Sequence, residues 1–92
     1  MTGDQGADLI ADAEGCRVVI QCKFYSKPVG NKAVQEAHAA LGFHAGDRAA
    51  VVSNAAFTRS ARQLAQANGV LLLHHDQLAD LADMVLPVGA RA

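Results

Sequence analysis

Apolar and polar residues alternate at the start of the chain in a pattern that predicts two β-strands. Residues 7–13 (ADLIADA) and 16–23 (CRVVIQCK) are mainly apolar, and the second run is rich in β-branched residues. Glu14 and Gly15 lie between the runs, and a two-residue connection that ends in glycine is typical of a tight hairpin turn. The pattern therefore predicts an antiparallel β-hairpin.

A loop is predicted over residues 24–30, which contain a lysine-proline pair and a glycine. Asn31 is expected to cap a helix that runs to about His44, because the apolar residues between them recur at helical spacing. Residues 49–53 (AAVVS) follow as a short apolar run that predicts a buried strand.

The last part of the chain predicts a helix, a strand and a further helix. Thr58 is expected to open the first of these helices, and the asparagine-glycine pair at 68–69 is a typical helix end. Residues 70–73 predict another apolar strand, after which Asp76 is expected to cap a short helix. The predicted order is β-β-α-β-α-β-α. Helices that connect the later strands indicate an α/β fold with a mixed sheet flanked by helices.

Length and composition indicate one small globular domain over residues 1–92. The chain is 51% hydrophobic and carries a formal net charge of −1, which is typical of globular rather than disordered proteins. No apolar run approaches the ~18 residues of a membrane-spanning helix, and the N-terminus has no signal segment. Cys16 and Cys22 lie about 20 Å apart on one predicted strand, which excludes a disulfide between them. We therefore expect a cytoplasmic protein with no membrane partner.

The predicted hairpin register brings three polar residues together. With the two-residue turn, Asp12 lies opposite Arg17 and Asp8 lies opposite Gln21, and opposed side chains are close enough to reach one ion. Side chains alternate along a strand, so Lys23 shares the face of Gln21 and Asp8. A register shift of one residue would separate these groups. The expected cluster therefore depends on the turn.

Such a cluster provides the oxygen ligands that Mg²⁺ or Mn²⁺ prefers. These are a carboxylate, an amide oxygen and a nearby main-chain carbonyl. A bound ion can polarise a phosphate oxygen and lower the pKa of a water molecule, and a neighbouring lysine can stabilise negative charge in the transition state. These groups suit phosphodiester hydrolysis. The alternative is a polar patch at the end of a sheet that binds no ion.

Two segments, residues 3–10 (GDQGADLI) and 21–23 (QCK), resemble the Mrr-like branch of the PD-(D/E)xK nuclease superfamily. That branch reads GDxGxD followed by QxK, with glutamine in place of the usual acidic residue. The resemblance covers roughly residues 3–80 and continues through four further short stretches, at 28–30, 34–36, 51–54 and 57–58. It implies a restriction-endonuclease-like fold and metal-dependent cleavage of DNA.

The resemblance also implies which residues perform the reaction. Asp8, Gln21 and Lys23 correspond to the catalytic residues. Asp8, Gln21 and the main-chain carbonyl of Cys22 correspond to the ligands of Mg²⁺ or Mn²⁺. Family members begin with a helix that often carries a glutamate near the metal. This chain starts almost directly in the first strand, so we expect that helix to be missing.

Further residues are candidates for contacts with the ion or with DNA. Asp4 and Gln35 are accessory candidates at the ion, although Asp4 also suits a turn. The DNA-binding candidates are polar residues after the two parallel strands: Lys27, Lys32, Asn54, Thr58 and Arg59. The alternatives are solvated surface lysines and an ordinary helix cap at Thr58.

Two other polar pairs favour structural roles. Lys32 and Glu36 have the i,i+4 spacing of a surface ion pair on a helix. His74 and His75 are neighbours on a predicted strand, where adjacent side chains face opposite sides, so a shared metal site is not expected.

An apolar side of the hairpin, formed by Leu9, Val18, Ile20 and Cys22, leads us to expect a homodimer. The helix predicted over residues 31–44 can cover only part of this side, and a second copy could cover the remainder. Three functions are consistent with the sequence. The first is an endonuclease acting on DNA, and the second is a weak or inactive DNA-binding module with the same fold. The third is an assembly domain that dimerises.

Overall fold

The computed structural model describes residues 9–80 of the chain. Its elements are β1 (Leu9–Ala13), β2 (Cys16–Lys23), α1 (Asn31–Phe43), β3 (Arg48–Ser53), α2 (Arg59–Asn68), β4 (Val70–His74) and a 3-10 helix (His75–Asp80). The strands form one sheet in the order β1-β2-β3-β4. β1 runs antiparallel to β2, whereas β2, β3 and β4 are parallel. The predicted α/β class and mixed sheet are therefore confirmed.

The hairpin has the predicted turn and register. Glu14 and Gly15 have φ angles of 54° and 77°, and two positive φ angles are what a type I′ turn requires. Leu9 pairs with Ile20, and Asp12 pairs with Arg17. The Arg17 Nε lies 2.8 Å from Asp12 Oδ1, and this hydrogen bond lowers the pKa of the Asp12 carboxyl below its usual value.

Of the three predicted helix N-caps, the structure confirms Thr58 and shows that Asn31 and Asp76 are not caps. Thr58 caps α2 as predicted, since its hydroxyl accepts a hydrogen bond from the Ala61 N–H at 3.0 Å. The cap of α1 is Gly30, with no side-chain hydrogen bond, and Asn31 is the first helical residue. The last element is a 3-10 helix rather than an α-helix, and Asp76 lies within its first turn instead of preceding it. No helix within residues 9–80 is long and apolar enough to cross a membrane.

Both helices pack on the same side of the sheet, called here the helix face. Consecutive parallel strands joined by right-handed crossovers place their helices on one side. Small residues of the helices meet the β3 and β4 side chains there, in a core that contains Ala33, Val34, Ala37, Ala49, Val51, Ala61, Ala65 and Val70. Strand alternation then assigns Val19, Gln21 and Lys23 of β2 to the helix face.

The apolar side chains on the opposite face are also buried, but not by α1. Val18 and Ile20 are 3% and 2% exposed and cluster with Ala50, Val52 and Leu73. The prediction that the helix over 31–44 covers the side of Leu9, Val18 and Ile20 is therefore wrong, because the crossover places α1 on the other side. Leu9 was expected to be packed, yet it remains 48% exposed.

Candidate active site

The parallel strands end together at one edge of the sheet, called here the carboxyl edge. Lys23 ends β2, Ser53 ends β3 and His74 ends β4, and these three residues are paired side by side. Paired residues share a face, so all three lie on the helix face. Because β1 is antiparallel to β2, its first residue Leu9 lies towards the same edge. The hairpin therefore opens at the carboxyl edge.

Gln21 is enclosed on the helix face near this edge. It is 4% exposed, and its amide oxygen is buried. Its partner in β3 is Val51, which belongs to the core beneath the helices. Large polar residues are seldom this deeply buried, so a buried polar side chain is more informative than an exposed one. The sequence predicted the face of Gln21 but not its burial.

Lys23 forms an ion pair with a glutamate of α1. The Lys23 Nζ lies 2.8 Å from Glu36 Oε1, and the two side chains are 21% and 23% exposed. Burial lowers the pKa of Lys23, but the hydrogen bond and charge of Glu36, with a smaller contribution from Tyr25, outweigh burial and raise it. Lys23 is therefore a cation at neutral pH. It is suited to stabilising negative charge and not to accepting a proton.

Glu36 is the residue of this site that the sequence reasoning missed. It was predicted to pair with Lys32 on the helix surface, but it reaches across to Lys23 on the sheet. Its position gave a signal, since it follows Ala33 by three residues and precedes Ala40 by four, and both alanines are buried. Gln35, predicted as the accessory residue of this helix, is exposed.

The remaining predicted ligands are only partly within the described residues. Asp4 and Asp8 lie outside them. The main chain of Cys22 runs between Gln21 and Lys23, while its side chain packs against the buried cluster on the opposite face. Near the carboxyl edge, Gln21 thus offers an amide oxygen, Cys22 a main-chain carbonyl and Glu36 a carboxylate. This donor chemistry fits Mg²⁺ or Mn²⁺ better than a softer ion.

The predicted DNA-binding residues lie in the loops after β2 and β3 and at the starts of both helices. Lys27, Lys32 and Arg59 are exposed. The Asn54 Oδ1 accepts a hydrogen bond from the Tyr25 N–H at 3.1 Å and so links the two loops. The hydroxyl of Thr58 serves as the helix cap described above, which accounts for this residue structurally.

The loop after β2 is held in place by main-chain hydrogen bonds. The Val29 N–H donates to the Ala56 carbonyl at 2.8 Å, and the Thr58 N–H donates to the Val29 carbonyl at 2.9 Å. Between Lys23 and this anchor, Phe24 and Tyr25 are 63% and 46% exposed. The loop therefore presents two aromatic side chains and Lys27 beside the end of β2.

The two histidines at the end of β4 lie on the same side, contrary to the prediction. Their ring centroids are 4.3 Å apart. The His74 Nδ1 lies 3.3 Å from one Asp76 oxygen, and the His75 Nε2 lies 3.1 Å from the other. The strand ends at His74 and the 3-10 helix begins at His75, so strand alternation does not apply across this pair.

The element order and mixed sheet define a restriction-endonuclease-like α/β fold. The chain belongs to the restriction endonuclease family Mrr_cat, whose model matches residues 1–82. The resemblance to Mrr-like nucleases is thereby confirmed.

Among solved structures, the chain is similar to AF1548, a protein of unknown function. The two share 27% sequence identity with a TM-score of 0.62, over 71% of this chain and 38% of AF1548. The chain thus spans well under half the length of that protein. It matches no curated protein.

Proposed function

We propose that the chain is a catalytic domain, over residues 1–92, that hydrolyses DNA phosphodiester bonds with the help of a divalent metal ion. One observation carries the proposal. In a chain of the restriction endonuclease family, a buried amide (Gln21) and a lysine held as a cation (Lys23) share one face at the carboxyl edge. This pair matches the QxK element that the sequence resembles, and it supplies a metal ligand and a positive charge together.

The proposed ligands of Mg²⁺ or Mn²⁺ are Asp8, Gln21 and the main-chain carbonyl of Cys22. When bound, such an ion polarises a phosphate oxygen and lowers the pKa of a water molecule. Gln21 contributes a neutral oxygen, which can be buried at lower cost than a carboxylate when no ion is present. Lys23 stabilises the negative charge that develops on the phosphate.

The DNA is proposed to lie along the carboxyl edge. Lys27 and Lys32 follow Lys23 along the chain, and Arg59 begins α2 beside Asn54 and Thr58 in the neighbouring connection. Exposed cations in such positions bind phosphates and fix the register of the duplex without reading its sequence. The net charge of −1 means that the attraction depends on this local concentration of positive charge. Asp4 and Gln35 remain accessory candidates.

A plasmid-nicking experiment tests this function. Supercoiled plasmid should be converted to nicked and linear forms when Mg²⁺ or Mn²⁺ is present, and conversion should stop when a chelator removes the ion. The same incubation, analysed for retarded DNA, reports binding separately from cleavage. Retardation with no nicking in either metal would contradict the proposal and favour a DNA-binding module of the same fold.

We also propose that the protein is a cytoplasmic homodimer. β1 is an edge strand of the described sheet, and its Leu9 and Ile10 side chains are 48% and 44% exposed. Burial of apolar surface is favourable by ~25 cal/mol per Å², so covering this strand with a second copy stabilises a dimer. Light scattering at micromolar concentration should give twice the chain mass of 9.6 kDa. A monodisperse particle of one chain would exclude the dimer.

A further inference from the structure

We propose that Glu36 positions the ammonium group of Lys23 for catalysis. This inference rests on the proposed nuclease function and adds a residue to it. Glu36 lies on α1 and Lys23 at the end of β2, so the contact crosses from helix to sheet. The contact is 2.8 Å long and both side chains are less than one-quarter exposed. An ion pair in this setting is held more firmly than a pair of flexible surface side chains.

The geometry of an ammonium group explains why this contact matters. A lysine carries three N–H donors on a long, flexible stem. Glu36 accepts one of these hydrogen bonds, at 2.8 Å. With this donor directed to Glu36, the position of the ammonium group is restrained, and a remaining donor can point towards a phosphate oxygen. Without Glu36, the ammonium group would sample positions away from the reacting phosphate.

The charge of Glu36 separates this role from a contribution to DNA binding. A carboxylate near a phosphate backbone repels it, so removing that charge does not weaken the binding of DNA electrostatically. A positioning role therefore predicts a loss in kcat, with KM unchanged or lower. If Glu36 had only a structural role, its substitution would instead lower the melting temperature and the amount of active protein.

The experiment compares Glu36→Gln with wild type and with Glu14→Gln. Glu14 is the other glutamate of the chain and lies exposed in the hairpin turn, so the control makes the same chemical change elsewhere. We expect Glu36→Gln to lower kcat about 10- to 100-fold, the range typical of a small displacement of a catalytic group. Glu36→Asp should recover part of the loss, and Glu14→Gln should match wild type.

A spectroscopic measurement reports on the ion pair without requiring activity. In protein labelled with ¹⁵N-lysine, an ammonium group held by hydrogen bonds exchanges its protons slowly enough to give a side-chain signal. Lys23 should give this signal in wild type and lose it in Glu36→Gln, whereas the exposed Lys27 and Lys32 serve as internal references. In a Lys23→Ala background, Glu36→Gln should cause no further loss of turnover.

The possible outcomes test the role of Glu36 separately from the proposed nuclease function. An active wild type whose Glu36→Gln variant has the same or higher kcat would overturn the role of Glu36 and leave the nuclease function standing. Additive losses in the double variant would likewise overturn it, since Glu36 would then act independently of Lys23. A wild type that binds DNA but never cleaves it would overturn the nuclease function itself, and the role of Glu36 with it.

Discussion

Replacing Lys23 by alanine is expected to reduce the turnover of DNA by about 100- to 10,000-fold, the range seen when a group that assists the transition state is removed. The positive charge of Lys23 is held at the carboxyl edge beside Gln21. A phosphate bound to the proposed metal ion there would develop negative charge during cleavage, and Lys23 would stabilise that charge. Single-turnover cleavage of plasmid at saturating protein measures this loss separately from any change in DNA affinity.

The same substitution is expected to change stability only a little. Glu36 loses its partner, but its side chain is 23% exposed and can be solvated by water. The free energy of unfolding should therefore fall by about 1 kcal/mol, at the upper end for a partly exposed ion pair. Arg62→Ala is the control, because it removes one positive charge from an exposed position on α2. A large loss of stability with unchanged cleavage would show that Lys23 is structural.

The hairpin could be predicted from sequence because its determinants are local. Glu14 and Gly15 fix a two-residue turn, and the turn fixes every pairing between β1 and β2. Once the register is known, alternation assigns Gln21 and Lys23 to one face. The cap at Thr58 and the end of α2 at Gly69 were predictable for the same reason, since each depends on a residue and its near neighbours.

The face on which α1 packs could not be predicted from the pattern of the helix alone. An amphipathic helix has one apolar side, but the side of the sheet that it covers is decided by the handedness of the crossover from β2 to β3. The prediction placed α1 on the side of Leu9, and the structure places it on the side of Gln21. The burial of Gln21 and the contact of Glu36 with Lys23 both follow from that one difference.

Short elements at the ends of strands limit prediction in another way. His74 and His75 were treated as strand neighbours, which would point their rings in opposite directions. The change from β4 to a 3-10 helix between them rotates the second ring towards the first. The roles of Asp8 and of the metal ion remain predictions, since Asp8 lies outside the described residues.

Changing Gln21 to glutamate is expected to make the stability of the protein depend on metal. The resemblance to the wider nuclease superfamily places an acidic residue at this position, so a carboxylate there should strengthen the binding of Mn²⁺. Position 21 is 4% exposed, and burial raises the pKa of an introduced carboxyl group. In the unfolded chain, the introduced carboxyl group ionises as the pH rises above about 4.3, the ordinary pKa of glutamate. In the folded protein it ionises only at higher pH, so the free energy of unfolding falls as the pH rises above about 4.3.

At neutral pH with a chelator present, the free energy of unfolding of Gln21→Glu should therefore be about 1–3 kcal/mol lower than that of wild type. This is the cost of a buried polar group that is poorly compensated. Adding Mn²⁺ should restore much of this loss, because a ligand that binds only the folded state stabilises it. Gln21→Met is the matched control, since it has a similar size but offers neither charge nor oxygen. Thermal melts with and without Mn²⁺ measure the effect. Equal Mn²⁺ shifts in wild type and both variants would remove Gln21 from the ligand set, and its burial would then reflect packing against Val51 and the core beneath the helices.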